Sequence, residues 1–284
     1  MDAGAHRFEA RLLLAQEHAN NNVHAAARQN AEDLLEILQK GKAEVKLVTE
    51  CAWIIANSFQ AGIDKVDRRV EALRAFLEQH PSEARAPQAS RNIAEIFQSA
   101  GRMDDAIAAY RDFIAAKNYQ FVSTDASAKP DPKSGVSPAQ QLENWQREAQ
   151  FAVGQLLFGQ KKYDDAIAEW QAYVGRYPNG AQCTASQSGI IHAEFQMGLD
   201  AVAADKETAA RERFDAFLQK YPLDPRARQI MFMLGQIHFS KAEEIERSAK
   251  EKTASPQISY GGVGTNITAN FCGRFIDSPP LFPL

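Results

Sequence analysis

The sequence predicts an all-α fold: five to six helical hairpins stacked into a right-handed superhelix, an α-solenoid. Three observations carry this. Of the 16 Gly and 12 Pro, eight crowd into residues 253–284, leaving the rest free for long helices. The helix formers Ala, Leu, Gln, Glu and Arg dominate that remainder. Along it, a spacing of small residue, small residue, aromatic and proline returns several times.

Residues 6–41 predict a first helix pair. Asn20, Asn21 and Asn22 make a turn. His24 through Gln39 carries Leu34, Leu35 and Leu38, and Gly41 is a good C-terminal stop. The repeat itself is clearest at Gly154, followed after twelve, sixteen and twenty-four residues by Ala166, Trp170 and Pro178. Gly198, Ala210, Phe214 and Pro222 keep the same offsets. Ala94, Ala106 and Tyr110 form an earlier unit with Asn118 in place of Pro. Asn57, Arg69, Leu73 and Pro81 form one before that. Gly235 opens a partial last unit, with Arg247 where a small residue is expected.

Two small residues twelve apart let antiparallel helices approach closely. The aromatic one turn later fills the gap, and Pro ends the second helix because it lacks an N–H and clashes with the preceding turn. Asp104, Asp105, Asp164 and Asp165 stand between the paired helices. Paired carboxylates can serve general acid–base chemistry, but their recurrence in the repeat points to helix capping. The expected organisation is an N-terminal hairpin over 1–48, repeats over 49–252 with a polar loop at 118–138, and a Gly/Pro-rich irregular tail over 253–284.

The offsets at Gly154, Ala166, Trp170, Pro178 and at Gly198, Ala210, Phe214, Pro222 resemble the tetratricopeptide repeat family. The recurring endings Phe76–Pro81, Tyr173–Pro178 and Phe217–Pro222 look like its longer-period bacterial envelope variants. The resemblance implies a TPR-like superhelix and a non-catalytic scaffold that presents a concave groove to a peptide or partner protein. Its alternatives are a helical accessory region of a larger enzyme or envelope-assembly protein, and a structural spacer.

Composition narrows the function classes. A net charge of −4 gives no reason to expect nucleic acid. The longest apolar run, Cys51–Ala56, is far short of the ~18 residues a membrane helix needs. Cys51, Cys183 and Cys272 fit neither a disulfide framework nor a zinc site. None of the six histidines lies in a His-Glu-x-x-His pattern. His238 falls on the predicted packing face. Gly261, Gly262 and Gly264 lack the strand and helix of a phosphate loop. No metal or cofactor is expected. The first residues show no secretory signal, which suggests a protein that stays where it is made or a piece of a longer chain.

A helical wheel locates the binding face. Offsets −6, −3, +1 and +4 from each anchor share one arc of the first helix, and −1 and +3 should face the second helix. The arc reads Gln88, Arg91, Glu95 and Gln98; then Glu148, Phe151, Gln155 and Phe158; then His192, Phe195, Leu199 and Val202; then Gln229, Phe232, Gln236 and Phe239. In the family this arc lines the groove. The polar members Gln88, Arg91, Glu95, Gln98, Glu148, Gln155, His192, Gln229 and Gln236 are the candidate partner-binding residues, being costly to bury unpaired. The Phe members are expected to pack against neighbouring first helices. With Arg91 the one permanent cation, no clamp for a C-terminal carboxylate is expected. An apolar or amide-rich peptide, or the chain's own tail, suits the arc better.

Overall fold

The computed structural model describes residues 3–40, 44–119 and 135–253. Of the loop expected at 118–138, residues 120–134 lie outside the described residues, as do residues 254–284 of the tail expected at 253–284. Among the described residues there are eleven helices and no strand. They are α1 (Ala3–Asn20), α2 (His24–Gln39), α3 (Val45–Asn57), α4 (Val66–Gln79), α5 (Ala86–Ser99), α6 (Met103–Ala115), α7 (Pro138–Gly159), α8 (Tyr163–Arg176), α9 (Cys183–Ala203), α10 (Glu207–Lys220) and α11 (Ala227–Thr253). The boundary expected at 48–49 falls within α3. The chain divides into two compact units, Met1–Ile230 and Met231–Leu284.

In the first unit, α1 to α10 form five hairpins, each helix packing against the next in the chain, and first helices also touch from hairpin to hairpin. Leu12, Ala15, Ala27, Ala31, Leu34, Leu38, Cys51 and Ile54 make one core under the first hairpin. A second, larger core runs from Ala56 to Ala193. Such a stack buries each apolar stripe only against its neighbours, so the hairpins stand or fall together.

The predicted offsets are contacts. A β-carbon on Gly154 would stand 2.7 Å from Cδ1 of Trp170, and one on Gly198 2.6 Å from Cδ1 of Phe214. Pro81, Pro178 and Pro222 each follow a helix end by two residues. A capping box at Ser137 and Gln140 starts α7.

The aspartates are not side-chain caps. Arg102 and Lys162 occupy the N-cap positions, without a capping hydrogen bond. Asp104, Asp105, Asp164 and Asp165 lie in the first turn, where the helix dipole favours them. Asp104 also reaches the next hairpin, pairing with Lys162 at 3.1 Å and accepting from Gln160 at 3.0 Å. Arg102 likewise pairs with Asp67 of the preceding hairpin, and Lys161 with Asp200 of the following one at 3.5 Å. The turns are therefore stitched by ion pairs from hairpin to hairpin. These groups are largely exposed, so each stitch contributes little.

Candidate functional site

Three expected site residues meet across two first helices. Arg91 of α5 pairs with Glu95 at 2.9 Å and with Glu148 of α7 at 3.1 Å. Its guanidinium lies 5.5 Å from the ring centre of Trp145. Nearby, the Tyr110 hydroxyl donates to Gln98 at 2.7 Å. Burial pushes the Tyr110 phenol up to about 12, and the charge of Glu95 adds to it. Gln88 and Gln155 are exposed. So is His192, with its ring 5.1 Å from that of Phe158. Gln229 and Gln236 are exposed on α11 and fall in different units.

The aromatic members of the arc behave differently from expectation. Phe151 packs on Trp170 and Tyr173, with centroids 6.4 and 6.3 Å apart. Phe158 packs on Tyr163 and Trp170, and Phe195 on Phe217 at 6.0 Å. Most of their ring partners are thus on the second helices of their own hairpins, while Phe158 also meets His192 of the neighbouring first helix, and the packing surface of each first helix is wider than the −1 and +3 positions. Those positions are still largely apolar and buried at Val153, Leu157 and Ala201. His238, expected on the packing face, is exposed, as are Phe232 and Phe239.

Two open cavities lie along the first helices. One, of about 420 Å³, is walled by Gln16, Asn20, His24, Trp53, Asn57 and Arg85 among others. The second, of about 430 Å³, is walled by Asn57, Phe59, Arg69, Asn92, Glu95 and Ser99 among others. Asn57 borders both, held by donation to the Trp53 carbonyl at 3.0 Å. Arg85 is fixed between Glu50 (2.8 and 3.1 Å) and Glu83 (2.9 Å), 5.0 Å from the Trp53 ring centre. Burial opposes its charge, and the hydrogen bonds to Glu83 and Glu50 outweigh burial and raise its pKa. By contrast, the side chains of Gln16, Asn20, His24 and Asn92 engage no partner among the described residues. An amide offers both donors and acceptors, and here that capacity faces open cavities.

Apart from Glu95, reasoning from sequence missed these walls. One signal was available: Arg85 stands four residues after Pro81, and Arg226 four after Pro222. Arg226 repeats the arrangement, held by Asp224 at 2.8 and 2.9 Å and lying 5.7 Å from the Phe195 ring centre. Among the described residues, no cluster of three or more His, Cys, Asp or Glu could hold a metal ion, and no helix is long and apolar enough to cross a membrane.

Antiparallel hairpins with close glycine–aromatic seats and proline stops define a helical-repeat protein. Residues 66–121 match the tetratricopeptide repeat family model, and residues 144–259 match that of an outer membrane lipoprotein family. The chain thus carries a tetratricopeptide repeat at 66–121 within a helical solenoid of that type. No curated protein sequence matches it. Among solved structures it is similar to MamA of strain AMB-1, at 16% identity over 72% of this chain and 91% of that one, with a TM-score of 0.40. A Podospora anserina kinesin light chain with TPR-like repeats is 12% identical over 77% and 98%, TM-score 0.37. A Rap protein complexed with competence and sporulation factor is 14% identical over 86% and 66%, TM-score 0.38.

Proposed function

We propose that the chain is a non-catalytic protein-interaction scaffold whose first helices receive an extended peptide or partner segment. The observation that carries this reading is the pair of cavities around Asn57, lined by amides with unused hydrogen-bonding capacity beside the flat rings of Trp53 and Phe59. Amides can hold a peptide backbone, and rings can hold an apolar or amide side chain. Arg91, already engaged by Glu95 and Glu148, is a poor clamp for a free carboxylate. An apolar or amide-rich peptide therefore suits this surface, with Gln88, Gln98, Gln155 and His192 as exposed contacts further along.

The test is selection of peptides from a displayed random library on the full chain, followed by affinity measurement on Asn57→Ala and Asn92→Ala variants. Circular dichroism should show both variants folded. A loss of about tenfold or more per variant supports the reading, as expected when a buried polar contact is removed. Unchanged affinity in both places the binding surface elsewhere.

The match of residues 144–259 to an outer membrane lipoprotein family favours a second reading, a component of bacterial envelope assembly. Recovery of the protein in an envelope fraction, against recovery in the soluble cytoplasm, separates the two.

A further inference from the structure

Helix α11 contributes no residue to the walls of the two cavities around Asn57. Its 27 residues span about 40 Å. Arg228, Phe232, Gly235, Phe239, Ala242 and Glu246 recur at alternating steps of four and three, so they share an arc of about 80°. All six are exposed, the two Phe side chains at 66% each. A continuous seam at this spacing is the pattern by which one helix packs along another. Large aromatic residues left in water at both of its Phe positions call for a cover.

The order of residues along the seam says what covers it. Reversed, the seam is complementary to itself about its midpoint at Ile237. Phe232 falls opposite Ala242, Phe239 opposite Gly235, and Arg228 opposite Glu246. Each large ring meets a small residue, and the ends meet with opposite charge. Arg228 has no ion-pair partner among the described residues. Glu246 pairs with Lys250 at 2.7 Å on the surface, a weak contact that a second cation can share. At Gly235 no described atom lies within 4 Å of an added β-carbon, so the backbone is open to a ring.

We propose that α11 is a self-association surface, occupied by the α11 of a second copy in antiparallel register with Phe239 of each copy on Gly235 of the other. The interface shares no lining residue with the two cavities around Asn57. It covers about 27 Å of helix and belongs to the small, transient class, with dissociation in the micromolar range or weaker.

Sedimentation velocity of the full chain over a concentration series tests this. A monomer–dimer equilibrium in that range is expected. Phe239→Asp should abolish it with the helical spectrum unchanged, since the residue is exposed. Arg228→Glu and Glu246→Arg should each weaken it about tenfold, and the double variant should recover most of the loss, because the exchanged charges face each other again. A monomer at every concentration overturns the proposal, whether residues 254–284 or another protein then cover the face. A dimer indifferent to Phe239→Asp overturns it too. Charge reversals that add without rescue overturn the antiparallel register.

Discussion

The indole of Trp170 rests on the backbone of Gly154, close enough that a β-carbon there would stand 2.7 Å from both Cδ1 and Cε2. The far edge of the same ring meets Gly189 of the next first helix, where a β-carbon would be 2.8 Å from Cζ3. One buried side chain thus sets the spacing within its hairpin and to the hairpin that follows. Its Nε1 has no hydrogen-bond partner among the described residues, a cost of about 1–3 kcal/mol that the two glycine contacts and the rings of Phe151 and Phe158 offset.

Adding a methyl group at these seats should be harmful. Gly154→Ala and Gly198→Ala are each expected to lower stability by roughly 1–3 kcal/mol through overpacking. Gly175 lies in α8 with open space, among the described residues, where a β-carbon would be added. Gly175→Ala should raise stability by roughly 0.5–1 kcal/mol, because alanine loses less backbone entropy in a helix. Urea midpoints measure all three. A neutral Gly154→Ala would show that the seat can widen without loss.

Cys51 and Cys183 should differ in reactivity. Cys51 is fully buried in the first core. Burial, with help from the charge of Glu50, pushes its thiol up to about 11 from 9.0. That leaves about a hundredfold less thiolate at a given pH near neutrality, behind a barrier of packed side chains. Cys183 is half-buried. In a Cys272→Ser background, a thiol reagent should modify Cys183 promptly and Cys51 only on unfolding. Comparable rates at both would contradict the packing of α3.

The ion pairs between turns predict an acid dependence. Asp104 is held below the ordinary carboxylate range, first by the Gln160 hydrogen bond and then by Lys162. Its folded value therefore lies below its unfolded one. The stability it contributes is complete above the unfolded value and fades as pH falls through the folded one. Carboxyl NMR should find Asp104 titrating below 3.8, and rising toward that value in Gln160→Ala and in Lys162→Ala. No rise in either variant would mean the contact between hairpins does not persist in solution.

The legible part of the fold was the part enforced by steric necessity. Gly154 and Trp170, or Gly198 and Phe214, touch at fixed offsets because so large a ring needs a bare backbone opposite it. The prolines 81, 178 and 222 end helices for an equally local reason. Gly189 escaped notice because it serves the ring of the preceding hairpin, and offsets counted within one unit do not reach it. The aspartates were misread because first-turn position suits a dipole as well as a cap, and only the structure shows Asp104 reaching Gln160 and Lys162. At the candidate site, Arg91, Glu95 and Glu148 were found as polar residues on an exposed arc. Trp53, Asn92 and Arg85 were not, because a wheel for one helix cannot show which side chains border a cavity made by three.

The Phe stripe gives the sharpest contrast between equal offsets. Phe195 is buried, packed on Phe217, with the Arg226 guanidinium 5.7 Å from its ring centre. Phe151 is half-buried against Trp170 and Tyr173. Phe232, at the same offset in α11, is 66% exposed. Phe195→Ala should therefore cost about 3–5 kcal/mol, the usual loss for emptying a packed aromatic site. Phe151→Ala should cost less, since part of its surface already meets water. Phe232→Ala should stay within about 0.5 kcal/mol of the parent when urea unfolding is measured at low concentration, where a transient dimer is absent. If Phe232→Ala were as damaging as Phe195→Ala, α11 would bury its seam within a single chain, and the stripe would be core along its whole length.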